Sequence, residues 1–220
     1  MAEKDLKIVV KIELWSLTAD DGSIDPEKMD RLTLILSNLH NSGKSILIVS
    51  SGAIALGMKK LNMHNEPESF NQKQAIAAIG QAELIKTYQN YFSEFNQTVA
   101  QVLLTKDVVK NEVRRQNATN TLNRLLDMGI IPVINENDTV STDDIVLDDN
   151  YPLTLKVAEL VESDTILVKS EHLRQYIVVK RGDDDQHKVE EEDLFEKIEY
   201  LSFVKSAVGH HQFPEKIEMY

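Results

Sequence analysis

Gly129-Ile130-Ile131-Pro132-Val133-Ile134-Asn135-Glu136-Asn137-Asp138-Thr139-Val140 opens as an apolar run of strand length and breaks at Asn135 into five polar side chains in succession. Its β-branched residues favour the extended backbone. A continuous apolar run, rather than an alternating one, is the pattern of a strand covered on both faces, and so of a parallel sheet. Polar residues at the carboxyl end of such a strand lie where the ligands of open α/β sheets bind. A strand followed by a solvated turn satisfies the same pattern. The crevice reading gains from a second strand, Ile46-Leu47-Ile48-Val49, that ends the same way in Ser50-Ser51-Gly52.

Outward from these two strands, helix and strand patterns alternate. Lys7 to Ile12 reads as a short buried strand, followed by a turn-rich loop over Leu17 to Ser23. Asp25-Pro26-Glu27 opens a helix, with Asp as N-cap and Pro in the first turn. Met29, Leu32, Ile35, Leu36 and Leu39 share one helical face, and Gly43 follows as the stop. A polar loop spans about Asn62 to Asn71, and a helix runs from about Gln74 to Phe95. Val99 to Leu104 is a third strand. Asp107 to Met128 is helical, with Arg114 and Arg115 on a solvated face. A further helix ends near Ser163, and Thr165 to Val168 is another strand. The alternation predicts an α/β fold: an α/β/α sandwich around a central, mainly parallel sheet, in one domain over residues 1–220.

The last fifty residues differ in texture. Tyr176 to Lys180 reads as a strand, and Leu194, Ile198, Leu201, Val204 and Val208 mark an amphipathic helix. The acidic runs Asp183-Asp184-Asp185 and Glu190-Glu191-Glu192-Asp193 lack the spacing of a calcium loop and read as solvated faces or a helix start. His210-His211 reads as a surface pair, and no metal site is expected.

With no cysteine, disulfides, thiolate metal sites and thiol nucleophiles are excluded. No apolar run approaches the roughly 20 residues that span a membrane. Met1-Ala2-Glu3-Lys4-Asp5 has neither the basic start nor the apolar segment of a signal peptide, so a cytoplasmic location without membrane partners is expected. A formal charge of −12 without a basic stripe argues against nucleic acid. The turn Ser50 to Gly57, opening a helix with small residues, suits an anion at the free N–H groups of a helix start, or tight strand-to-helix packing.

Six blocks, in this order, carry a resemblance: Lys11 on the first strand; Ser50-Ser51-Gly52-Ala53-Ile54-Ala55; Ala77-Ala78-Ile79-Gly80-Gln81; Ala100 to Thr105; Asn117-Ala118 with Asn120-Thr121-Leu122; and Pro132 to Val140. From about Lys7 to Val168 the chain resembles the amino-acid kinase family, and within it the glutamate 5-kinase group. The resemblance implies a first portion that holds L-glutamate and a second that holds ATP and Mg2+. It further implies transfer of the ATP γ-phosphate to the glutamate γ-carboxylate, the first step of proline synthesis. Such chemistry rests on positioning and on neutralising phosphoryl charge. Lys11 matches the lysine that stabilises the transferring group. Ser51, Gly52 and Ala53 match the loop that lines the glutamate site, Asp138 and Asn150 match two residues that hold glutamate, and Asn135 and Asn137 shape the same loop. Ser170 and Glu171 stand where the nucleotide-side loop opens. Proline as an effector and a homo-oligomer also follow from the resemblance.

The departures lie on the phosphate side. Where the family follows its lysine with Gly and then Thr or Ser, this chain has Glu13, Leu14 and Trp15. Like charges about 4 Å apart at an effective dielectric near 20 repel by about 4 kcal/mol, so a carboxylate facing a triphosphate there opposes its binding. Asp148-Asp149-Asn150-Tyr151 keeps the glutamate-side Asn and loses an acidic neighbour. The Gly-Gly-Met-x-Thr-Lys segment has no counterpart after Val168, and the RNA-binding-like C-terminal domain of the family is not recognised. Two functions are therefore expected to compete: a shortened glutamate 5-kinase, and a catalytically silent paralogue that binds glutamate or proline as a regulatory or interaction module.

Overall fold

The computed structural model describes residues 6–19, 21–105, 107–108, 110–140, 150–169, 175–181, 186–194, 196–198 and 213. Among the described residues seven strands form one sheet: β1 (Lys7–Ile12), β2 (Ser45–Ser50), β3 (Val99–Leu104), β4 (Ile131–Glu136), β5 (Thr165–Lys169), β6 (Gln175–Lys180) and β7 (Gln186–Glu190). Their order is β3-β4-β2-β1-β5-β6-β7. The five strands from β3 to β5 run parallel, and β6 and β7 pair antiparallel at one end. The expected mainly parallel sheet is thus present.

Successive strand residues point to opposite faces, and the core divides accordingly. Ile8, Val10, Ile12, Ile46 and Ile48 pack with Met29, Leu32 and Leu36 of α1 (Pro26–Asn41) and with Leu84, Tyr88 and Phe92 of α3 (Phe70–Ser93). Val9, Leu47, Val49 and Ile134 pack on the other face with Ala118 and Leu122 of α4 (Glu112–Asp127) and Leu153, Val157 and Ala158 of α5 (Tyr151–Leu160). Helices therefore cover both faces, which is why the strands read as unbroken apolar runs.

Helix α1 starts where the sequence places it. The Asp25 side chain accepts from the Glu27 and Lys28 N–H groups, with Pro26 in the first turn. Helix α3 starts four residues before the expected Gln74. Ser69 and Gln72 form a reciprocal capping box there that satisfies N–H groups no helical carbonyl can reach. Helix α4 starts later than Asp107, at Glu112, because the Asn111 side chain caps it through the Arg114 N–H. Strand β4 continues through Asn135 and Glu136, where Leu103 and Leu104 of β3 still supply partners. The short helix α2 (Ala53–Lys60) lies against α3 almost backbone to backbone. A Cβ on Gly80 would fall 1.6 Å from the Ala53 carbonyl oxygen, and one on Gly57 would fall 2.2 Å from that of Ile76. Only glycine fits at either crossing.

In the C-terminal part, Leu194 and Ile198 are buried in the α1/α3-side core. Leu201, Val204, Val208, His210, His211 and the run Asp183 to Asp185 lie outside the described residues. The run from Glu190 supplies the last residue of β7 and a 3-10 turn over Glu191–Asp193 that leads into helical residues at Leu194 and 196–198, in keeping with a helix start.

Candidate functional site

Since β1, β2 and β4 are parallel and adjacent, their carboxyl ends open on one edge of the sheet. Lys11 stands one residue before the end of β1, Ser51 one residue after β2, and Asp138 two residues after β4. The expectation that Ser51 and Asp138 share one edge is met by this topology.

Lys11 is buried between β2 and β5, beside Val49 and Val168, with 4% of its surface exposed. An ammonium there needs a counter-charge, because removing it from water unpaired is costly. Glu13 supplies it. The chain is still extended at Glu13 (φ −85°, ψ 122°), and in extended backbone residues i and i+2 face the same way. Glu13 is 3% exposed. Its Oε1 accepts from Lys11 Nζ, and its Oε2 accepts from Ser51 Oγ at 2.6 Å. The Ser51 N–H also donates to the Ile12 carbonyl at 3.1 Å, which binds the β2 exit to the β1 exit.

After Glu13 the chain makes a 3-10 turn, Leu14–Leu17, with Leu14 and Leu17 buried and Trp15 partly exposed. Leu14 fills the space over Gly52. A Cβ on Gly52 would come within 2.4 Å of Leu14 Cβ, and Gly52 has φ +96°, in the region that favours glycine. Gly52 is the N-cap of α2, with no side-chain cap, and Ala53 is the first helical residue. The first N–H groups of a helix have no intrahelical acceptor, so α2 begins with donors beside Ser51.

A second cluster lies on the other side of the β2 exit. Asn150, at the N-cap of α5, donates from Nδ2 to the Ser50 carbonyl (3.0 Å) and to Asn135 Oδ1 (3.0 Å). Asn135 Oδ1 also accepts from the Glu136 N–H at 2.8 Å, so both donors fix the orientation of this amide. Asn135 is buried, and Asp138 and Asn150 are half-buried. The Ser50 hydroxyl shares a 3.0 Å hydrogen bond with Tyr88, whose hydroxyl pKa is pushed far above its usual value by complete burial, with the Ser50 bond opposing. Gln81 Nε2 donates to the Glu136 carbonyl at 3.1 Å and ties α3 to the end of β4. Tyr88 and Gln81 were not expected at this edge as individual side chains. They lie seven residues apart on the buried face of α3, a spacing visible in the sequence.

Beside the second cluster runs a groove of about 470 Å³ between the ends of β3 and β4 and helix α4, lined in part by Thr105, Arg114, Asn117, Thr121 and Asn137. Arg114 and Arg115 are exposed as expected, and the Arg114 guanidinium meets Asp107 at 2.5 Å. Ser170 and Glu171, the residues expected on the nucleotide side, lie outside the described residues. Among the described residues no group of three or more His, Asp or Glu is placed to hold a metal ion. No described helix is long and apolar enough to cross a membrane.

The fold and this edge define an open α/β sheet with polar side chains gathered at the carboxyl ends of its parallel strands. Two solved structures share the fold. The UMP kinase of Ureaplasma parvum superimposes with a TM-score of 0.53 at 17% identity, over 78% of this chain and 71% of that one. The UMP kinase of Bacillus anthracis gives 0.51 at 15% identity, over 76% and 66%. The profile of the amino acid kinase family matches residues 7–171, and the chain belongs to that family. It is 43% identical over 175 residues to the glutamate 5-kinase of Clostridium perfringens, covering 77% of this chain and 65% of the relative. The glutamate 5-kinase of Clostridium tetani is 44% identical over 169 residues, covering 76% and 63%. That of Caldanaerobacter subterraneus is 44% identical over 163 residues, covering 74% and 44%. The chain spans less than two thirds of the length of these relatives.

Proposed function

We propose that this chain is a glutamate 5-kinase-like protein that retains an L-glutamate site and holds phosphoryl transfer in check, acting as a glutamate- or proline-responsive module. The observation that carries the reading is the contrast between its two clusters. On the amino-acid side, Asn135, Asn150 and the Ser50 carbonyl form a fixed hydrogen-bonded frame beside Asp138, whose carboxylate suits an ammonium group. Ser51, Gly52 and Ala53 lead into α2, whose first N–H groups have no intrahelical acceptor. On the phosphate side, the Lys11 charge is taken up by Glu13, and Leu14 fills the space over Gly52.

As arranged, the Lys11 corner does not fit the γ-phosphate of ATP. A transferring phosphoryl group needs converging positive charge, and the cation here already holds a carboxylate. A second reading, a working kinase that uses both, is favoured by one observation: Lys11 is kept at the end of β1, in a stretch 43% identical to a glutamate 5-kinase. On either reading the partner is L-glutamate, and self-association and proline response are part of the proposal.

The deciding assay traps glutamyl phosphate with hydroxylamine in the presence of ATP and Mg2+, with a full-length glutamate 5-kinase in parallel. The expected outcome is little or no acyl phosphate, together with a rise in melting temperature on adding L-glutamate, because a ligand of the folded state stabilises it by mass action. Robust turnover that disappears in Lys11→Ala establishes the working kinase instead.

A further inference from the structure

The carboxylate of Glu13 sits as a bound oxyanion would. Each of its oxygens meets one donor: Oε1 the Lys11 ammonium and Oε2 the Ser51 hydroxyl at 2.6 Å. The three side chains are 4%, 3% and 6% exposed, so the pair is shut away from water and cannot be a solvated surface contact. The donors come from two different strand exits, and the Ser51 N–H bond to Ile12 holds those exits together. Such a convergence of a buried ammonium and a hydroxyl is a recognition geometry for a small carboxylate or phosphate. Here the ligand is part of the chain.

We propose that Glu13 is an internal ligand: its carboxylate fills an anion site built by Lys11 and Ser51, and its removal opens that site to a small external oxyanion. The proposal deepens the functional reading above and rests on it for the idea that the edge is a ligand site at all. It makes Glu13 the residue that decides which anions this edge admits. Glu13 is close to its partners by covalent connection, two residues from Lys11, so its effective concentration is far above that of a free anion. The wild-type site is accordingly occupied at any ordinary concentration of phosphate or acetate. It also follows that Ser51 is divided between two roles, because its hydroxyl cannot be donated to Glu13 and to a ligand at once.

The test is a thermal-shift titration with inorganic phosphate, and separately with acetate, against sodium chloride at matched ionic strength. Wild type should show no rise beyond the chloride control. Glu13→Ala should start less stable and then gain roughly 3 to 6 °C when phosphate reaches about ten times its dissociation constant. The double variant Lys11→Met/Glu13→Ala should lose that gain. Should Glu13→Ala fail to fold, Glu13→Gln keeps the volume and leaves Lys11 uncompensated. It should show a smaller phosphate-dependent rise, again removed by Lys11→Met. A phosphate response as large in wild type as in the variants, no response in either variant, or a response that survives loss of Lys11 overturns the proposal. L-Glutamate is titrated into wild type in the same series. A glutamate shift without a phosphate response in the variants sinks the internal ligand and leaves the glutamate site standing. A phosphate response in the variants without a glutamate shift in wild type does the reverse.

Discussion

Ser50 and Ser51 are neighbours in sequence, yet they belong to two chemically different regions. Ser51 donates to a buried carboxylate that is itself ion-paired with Lys11. Ser50 belongs to a neutral frame, with its carbonyl held by Asn150 and its hydroxyl by Tyr88. The first region is charged and internally satisfied, whereas the second positions groups and leaves Asp138 half-buried at its rim. Together they show that one strand end can keep a site's scaffold while its charge is redirected. The redirection needs only a glutamate two residues after the lysine, because extended backbone turns both side chains the same way.

Breaking the charged region should have the largest effect. Lys11→Met leaves the Glu13 carboxylate buried without its cation and should cost about 3–5 kcal/mol in urea denaturation. Adding Glu13→Leu should restore most of that loss, since an apolar pair of similar volume avoids the desolvation cost. Two losses that simply add would show that the side chains are not coupled. The neutral frame should be weaker. Asn150→Ala removes donors to two acceptors and should cost about 1–3 kcal/mol, with a reduced response to L-glutamate.

The Tyr88–Ser50 contact supplies a smaller, pH-dependent effect. Tyr88→Phe should cost about 1 kcal/mol at neutral pH. Burial raises the Tyr88 pKa, so the folded state favours the neutral phenol. The unfolded chain then loses its proton first. Stability from this group is complete below the ordinary tyrosine value near 10 and declines as pH rises through it. Tyr88→Phe should flatten that alkaline decline, and an unchanged slope would remove Tyr88 as its source. Asp138→Ala should have the smallest effect on stability, below about 1 kcal/mol. It should nevertheless abolish the glutamate-induced rise in melting temperature. A persistent rise would take Asp138 out of the glutamate site.

The elements that define the fold were legible because they are apolar on both faces. Ile131 to Ile134 and Ile46 to Val49 cannot satisfy their side chains anywhere but inside a covered sheet. Strand β7 was not legible. Gln186, His187, Lys188 and Glu190 carry no strand pattern, and only Val189 is buried, so its conformation comes from pairing with β6. The bounds of α3 were misread because the Ser69/Gln72 box lies among polar residues that also suit a loop. At the candidate site, it was the family resemblance that singled out Lys11, Ser51, Asn135 and Asn150, and the structure brings these residues to the same end of the sheet. The resemblance also marked Glu13 as foreign to a phosphate site. That Glu13 faces Lys11 and Ser51 depends on how three chain segments converge, which no local pattern encodes.

The contact between Gly80 and the Ala53 carbonyl has a mechanical meaning. Helix α3 has 24 residues and is therefore a rod about 36 Å long. The turn bearing Ser51 and Gly52 is seated on that rod with no compressible side chain between the backbones. A displacement of this turn toward α3 would meet backbone atoms rather than a side chain that can rotate away, so the turn and the helix are expected to move together.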